Sequence, residues 1–307
     1  MWAALSGVLG GSVLGLGMTV FSVFVLGEYG SSLFIGTPFA MGVTGAFLLN
    51  LRQPRSWMAN AAMGVLMMGA SGGLLTLFAL EGLICLAMAA PLAMVLCWMG
   101  VFFGYGLARW ERRLAVLGSV LPLPLLGILE PAPGHTEIRE VVTSVDIQAT
   151  PEEVWDNVIG FGGVELPPPP EWYFRTGIAY PIRARIEGEG VGAVRYCEFS
   201  TGPFVEPITV WDPPRHLAFD VLKSPPTMEE WSPYNTVHAP HLDGILQSHH
   251  GEFRLIPLPD GGTRLEGHTW YSFAMAPIAW WGLWSDASIH AIHTRVLAHI
   301  KQVAEAS

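Results

Sequence analysis

Glu137 to Val158 reads EIREVVTSVDIQATPEEVWDNV, and this stretch decides the fold of the C-terminal half. Its first half, 137–147, is rich in β-branched side chains and predicts a strand. Thr150, Pro151 and Glu153 then supply an N-cap, a proline at the first helical position and a glutamate at the third, a capping box that starts a short helix through Val154, Trp155 and Val158. A strand followed at once by a capped amphipathic helix is the opening of a packed, water-soluble domain.

Downstream, Ile182, Ala184 and Ile186 alternate with Arg183, Arg185 and Glu187, the period of a half-buried antiparallel strand. Gly188-Glu189-Gly190 joins 180–187 to a second strand at 191–200. Further strands are expected at 205–211, 216–223, 250–257 and 263–273, the last two closing over Pro259-Asp260-Gly261-Gly262. A final helix from about Ser285 to Ala306 places Ile289, Ile292, Val296, Ile300 and Val303 on one stripe.

Upstream of Glu130 the composition changes. Residues 1–129 carry three acids (Glu28, Glu81, Glu111) and five bases (Arg52, Arg55, Arg109, Arg112, Arg113), the composition of a chain in lipid. The expected domains are a transmembrane region, 1–130, and a soluble domain, 131–307. Runs 2–27, 29–51, 56–80 and 82–108 are each long enough to span. The run 114–129, with Pro122 and Pro124, is either a short, kinked fifth span or an interfacial segment. The first run lacks a basic segment before it and reads as a retained helix.

The two arginine clusters share the cytoplasmic side only if the N-terminus is cytoplasmic too, with Glu28 and Glu81 in the outer turns. If 114–129 crosses, the soluble domain lies on the non-cytoplasmic side, the placement this charge pattern favours. If it lies flat, the domain lies inside. Gly7, Gly11, Gly15, Gly100 and Gly104 recur at four-residue spacing, so helix backbones approach closely there, within the bundle, in a homodimer or against a partner in a membrane complex.

Residues 131–307 hold eleven Lys plus Arg against twenty-two Asp plus Glu, which argues against nucleic acid and against anionic headgroups. Cys85, Cys97 and Cys197 form no disulfide framework and no CxxC zinc motif. Nucleophile-elbow, zincin, P-loop and dinucleotide fingerprints are all missing, and no cofactor is expected.

The order strand, short helix, antiparallel strands and long C-terminal helix, with Val145 to Val158 opening it, resembles the SRPBCC or START-like helix-grip superfamily of the polyketide cyclase and lipid transport type over 135–307. The resemblance implies an α+β helix-grip domain, a curved antiparallel sheet around a long C-terminal helix, following an all-α transmembrane bundle. It also implies an apolar cavity between sheet and helix. The function expected is membrane-anchored binding or transfer of a lipid or isoprenoid-like molecule. A cyclase or hydrolase on a membrane-derived substrate, or an accessory subunit of a larger complex, are the alternatives.

Particular residues carry these readings. The insertion 165–175 (ELPPPPEWYFR) offers Trp172, Tyr173, Phe174 and Arg175 to a hydrophobic ligand or, in the plainer reading, to the core. Arg195 and Glu198 alternate, so one of them faces inward, where Glu206 offers a buried charge partner. Trp231, His241, Trp284 and His290 complete the expected ligand contacts. Asp286, His290 and His293 share a helix face, so Asp286 and His290, with Glu198, are the acid–base candidates. His238, His241 and Asp243, in the long loop 225–250, are the metal candidates. Arg254 is expected to pair across the hairpin with Glu266 on the solvent side.

Overall fold

The computed structural model describes residues 2–109, 122–129, 137–160, 163, 165–234, 239–242 and 244–306. By contact the chain forms two units. One comprises Met1–His135, Glu230–His241 and Ala274–Trp281, and the other Thr136–Glu229, Leu242–Phe273 and Gly282–Ser307.

In the first unit, α1 (Trp2–Val20) runs on through a π-helical stretch, Phe21–Leu26. A second π-helical turn, Ser32–Gly36, leads into α2 (Thr37–Asn50), followed by α3 (Trp57–Leu77), α4 (Leu83–Arg109) and α5 (Pro122–Leu129). Four helical segments, Ala3–Leu26, Ser32–Asn50, Trp57–Leu77 and Leu83–Arg109, are long and apolar enough to cross a membrane. Only the end of the expected fifth run is described, as α5, and 114–121 lies outside the described residues.

Glycines set the packing of these helices. A Cβ on Gly42 would strike the Cys97 carbonyl, one on Gly100 the Phe39 carbonyl and one on Gly104 the Val43 carbonyl, so α2 and α4 meet backbone to backbone. Gly7, Gly11 and Gly15 likewise lie against Gly45, Met67 and Met41 of the same unit. The four-residue spacing is thus used inside the bundle.

The second unit is a 7-stranded antiparallel sheet in the order β1-β7-β6-β5-β4-β3-β2. Its strands are β1 (Arg139–Ile147), β2 (Pro181–Glu187), β3 (Val194–Phe199), β4 (Gly202–Asp212), β5 (His216–Asp220), β6 (Leu246–Pro257) and β7 (Thr263–Phe273). Consecutive strands β1 and β2 lie at opposite edges, and the chain passes between them through α6 (Pro151–Gly160). The expected capping box closes α6: the Thr150 amide donates to Glu153 at 2.8 Å, and the Glu153 amide to the Thr150 hydroxyl at 3.4 Å.

The last helix, α7, runs Ile278–Ala304, seven residues earlier than the sequence pattern suggests. Its later turns lay Val296, Leu297, Ile300 and Ala304 into one core with Val154, Trp155 and Val158 of α6 and with Ile208, Leu217, Leu255 and Leu265 of the sheet. Ile289 is buried as expected, whereas Ile292 and Val303 are half-buried, so the stripe turns toward Leu297 and Ala304.

Candidate functional site

The long loop after β5 returns to the helix unit, and Glu230 anchors it there. Its carboxylate accepts the first amides of α4, from Ile84 at 3.1 Å and Cys85 at 3.2 Å. A negative group at a helix N-terminus satisfies orphan donors and complements the helix dipole. The Leu83 amide donates to the Trp231 carbonyl at 2.8 Å, fixing the next residue too. Gly82 makes this approach possible, because a Cβ there would fall on the Glu230 side chain.

The same loop delivers His241. Its Nε2 lies 2.8 Å from Cys85 Sγ and 3.7 Å from Glu230, and its Nδ1 lies 3.3 Å from Oε2 of Glu81. Glu81 and His241 are buried, and the Tyr29 hydroxyl donates to Oε1 of Glu81 at 3.0 Å. The Tyr29 ring stands edge-on to the imidazole at 5.4 Å. Oε2 of Glu81 and Nδ1 of His241 have no hydrogen-bond partner among the described residues, since their approach has the distance of an ion pair without the angle of a hydrogen bond.

Charge follows from this geometry. Burial opposes protonation of His241, but contacts with Glu230 and Glu81 outweigh it and raise its pKa to about 9. Burial would raise Glu230, yet His241, Cys85 and the Ile84 amide hold it below the usual carboxylate range. Burial first, and then the Glu81 carboxylate, push the Tyr29 phenol up.

Glu81, Cys85, His241 and Tyr29 line one cavity of about 390 Å³ in the helix unit. The rest of its wall is mainly apolar, including Leu33, Met41, Met68, Leu86, Met94 and Trp281. The polar groups therefore converge on one part of an otherwise apolar wall.

His241 was expected to pair with His238 and Asp243, both outside the described residues; the structure brings it instead to Glu81 and Cys85. Neither partner was singled out as functional. A glutamate and a cysteine four residues apart at a helix start are a local signal, but the third member arrives from 156 residues beyond Cys85.

Apart from Trp231, the other expected site residues described are spread across the sheet unit. Asp286 accepts from Arg139 at 2.6 Å and from the Tyr271 hydroxyl at 2.5 Å, so it does not orient His290. His290 meets the Thr143 hydroxyl at 2.8 Å instead. His293 bridges Thr143 and Thr269, and burial, with the charges of His290 and His268, lowers its pKa to about 4.

Glu198 points outward to Arg183 at 2.6 Å, while Arg195 faces inward, pairs with Glu206 and lies over the Phe219 ring at 4.8 Å. Arg254 stands opposite Glu266 in register, but its ion pair runs along its own strand to Glu252 at 2.6 Å.

In the proline-rich insertion, Phe174 is buried, Tyr173 half-buried, and Trp172 and Arg175 exposed. Arg295 holds the Pro167 carbonyl beneath it. Trp231 is exposed and Trp284 half-buried.

A curved sheet with α6 joining its edges and α7 packed along it decides the architecture. The second unit has the helix-grip fold. No family model and no curated protein matches the sequence. Among solved structures, norcoclaurine synthase from Thalictrum flavum is 12% identical, with 55% of this chain and 96% of that one covered and a TM-score of 0.36. The Zhui aromatase/cyclase from Streptomyces sp. R1128 is 18% identical, covering 55% and 94% with a TM-score of 0.38. The di-domain aromatase/cyclase BexL is 16% identical, covering 67% and 63% with a TM-score of 0.37.

Proposed function

We propose that this protein binds a hydrophobic molecule with a polar head, such as a lipid or isoprenoid, in the cavity of its membrane-anchored helix unit. The observation that carries the reading is the cavity of about 390 Å³, with its apolar wall and with Tyr29, Glu81, Cys85 and His241 among its lining. A tail among α1 to α4 avoids water, and a head beside the carboxylate and imidazole finds hydrogen-bond partners. This cavity lies among the helices of the first unit, apart from the one expected between sheet and helix.

An enzymatic alternative draws on one feature of the same place. The Cys85 thiol, the His241 imidazole and the Glu81 carboxylate form a nucleophile, base and orienting acid in sequence, the arrangement used in covalent acyl transfer. Turnover of the bound molecule, abolished in Cys85→Ser while binding persists, distinguishes it from a carrier.

Native mass spectrometry of the full-length protein released from mild detergent tests the binding reading. A discrete small-molecule adduct is expected on the wild type, reduced at least about tenfold in Ala93→Trp, whose ring fills the cavity. A wild type with no adduct, or an adduct unaffected by Ala93→Trp in a protein that remains monodisperse, overturns it.

A further inference from the structure

We infer that Cys85 takes an acyl group from a long-chain acyl thioester and holds it as a thioester of its own, with the chain in the cavity. The inference rests on the cavity of the proposed function and adds a covalent bond to it.

The side chains stand in a row. Cys85 Sγ meets Nε2 of His241 at 2.8 Å, and Oε2 of Glu81 lies beside the opposite nitrogen, Nδ1, at 3.3 Å. The Tyr29 hydroxyl holds the other oxygen of Glu81 at 3.0 Å. Thiol, imidazole, carboxylate and phenol follow one another, the order in which a base serves a nucleophile and an acid orients the base. Burial runs the same way. Tyr29, Glu81 and His241 are buried, whereas Cys85 is only partly covered, and it lines the cavity. Cys85 is thus the most open member of the row.

The surroundings select the donor. The amides that open α4 are engaged: Leu83 with the Trp231 carbonyl at 2.8 Å, Ile84 and Cys85 with Glu230, and Leu86 with the Gly82 carbonyl at 3.2 Å. None of these four is left to stabilise an oxyanion, the contribution that attack on an amide or an alkyl ester relies on. Exchange between a thiol and a thioester starts from a more reactive carbonyl and ends with the same kind of bond, so it asks least of such a site. Leu86, Ala89, Ala93 and Met94, on the same helix as Cys85, offer an apolar wall to the chain.

In the step, a sulfur lone pair attacks the carbonyl carbon and the Sγ–C bond forms. The thiol proton passes to Nε2 of His241 and on to the departing sulfur, as the C–S bond of the donor breaks and a free thiol leaves. Nε2 must be unprotonated to accept it. Glu81, just before α4, and Glu230, from the loop, both face the ring, with the Cys85 thiol and the Tyr29 phenol as its other titratable neighbours. Burial opposes the charge, but the two carboxylates raise the imidazole to about 9, so transfer should speed up as pH rises toward that value.

The test uses the full chain in mild detergent with the hexadecanoyl and acetyl thioesters of N-acetylcysteamine. The denatured wild type should gain the mass of about one hexadecanoyl group per chain, lost on treatment with neutral hydroxylamine, at a rate at least about tenfold that of acetyl transfer. Peptide fragmentation should place the group on Cys85, a readout that needs no variant to fold, and Cys85→Ala should lose it. In Glu81→Gln the transfer should slow by about tenfold or more, and its rise with pH should shift to lower values, because one of the two carboxylates that hold the ring proton is gone.

No covalent gain, a group on another residue, equal rates for the two thioesters, or a pH profile unmoved by Glu81→Gln overturns the inference. A thioester survives denaturation and a bound lipid does not. Retention of the native adduct without a covalent one therefore removes this inference and leaves the cavity reading standing.

Discussion

Arg195 and Glu206 stand directly opposite each other on β3 and β4, both almost wholly out of water. Alternation along β3 shows from sequence that either Arg195 or Glu198 turns inward, and the acid facing it across the strands decides for Arg195. Removing one member of a buried pair strands the other, so Arg195→Met should cost about 3–5 kcal/mol, while Arg195→Met with Glu206→Leu should recover most of it. Urea unfolding of the full chain in detergent, followed by tryptophan fluorescence, measures both; equal losses in single and double variants would show that the charges are not coupled. The Glu81, Cys85 and His241 cluster is illegible at this scale. Periodicity reports which face a residue shares with its neighbours, not which side chain a loop will bring from 156 positions away.

Among elements, the strands were the most legible, because a period of two survives without knowledge of the partner strand. Two boundaries moved for reasons the pattern does not hold. β6 begins at Leu246 because Leu246, Gln247 and Ser248 pair with Phe273, Ser272 and Tyr271 before the bulge at His250, although their side chains read as loop. α7 begins at Ile278, directly after Pro277, and absorbs Trp280, Trp281 and Trp284 before the Ser285 at which the apolar stripe sets its start. In the bundle, the glycines of α2 and α4 set the distance between the helices. Gly100→Ala, which drives a methyl into the Phe39 carbonyl, should destabilise the detergent-solubilised protein by about 1–3 kcal/mol, whereas Gly106→Ala, with open space around its Cβ, should change little. Paired thermal melts measure the difference, and equal effects would mean that the α2–α4 approach relaxes freely.

At the scale of the molecule, four apolar helices and a curved sheet were legible from composition and periodicity, while the division of the chain between its two units was not. Segments 230–241 and 274–281 fold with the helices: the Leu83 amide binds the Trp231 carbonyl, and the Ala276 amide binds the Tyr29 carbonyl at 2.9 Å. Tyr29 and Leu83 follow Glu28 and Glu81, the two outer turns on the arginine pattern, so on that reading Trp231 sits on the non-cytoplasmic side. A membrane-impermeant maleimide should therefore label Trp231→Cys in intact cells above the wild-type background, and Arg52→Cys only after permeabilisation. The reverse pattern would invert the topology. The division of the chain also bears on proteolytic release. A protease that cut between Leu129 and Arg139 would leave a fragment that still carries Trp231, His241 and Ala276, which fold with the helices, so its release requires unfolding as well as a cut.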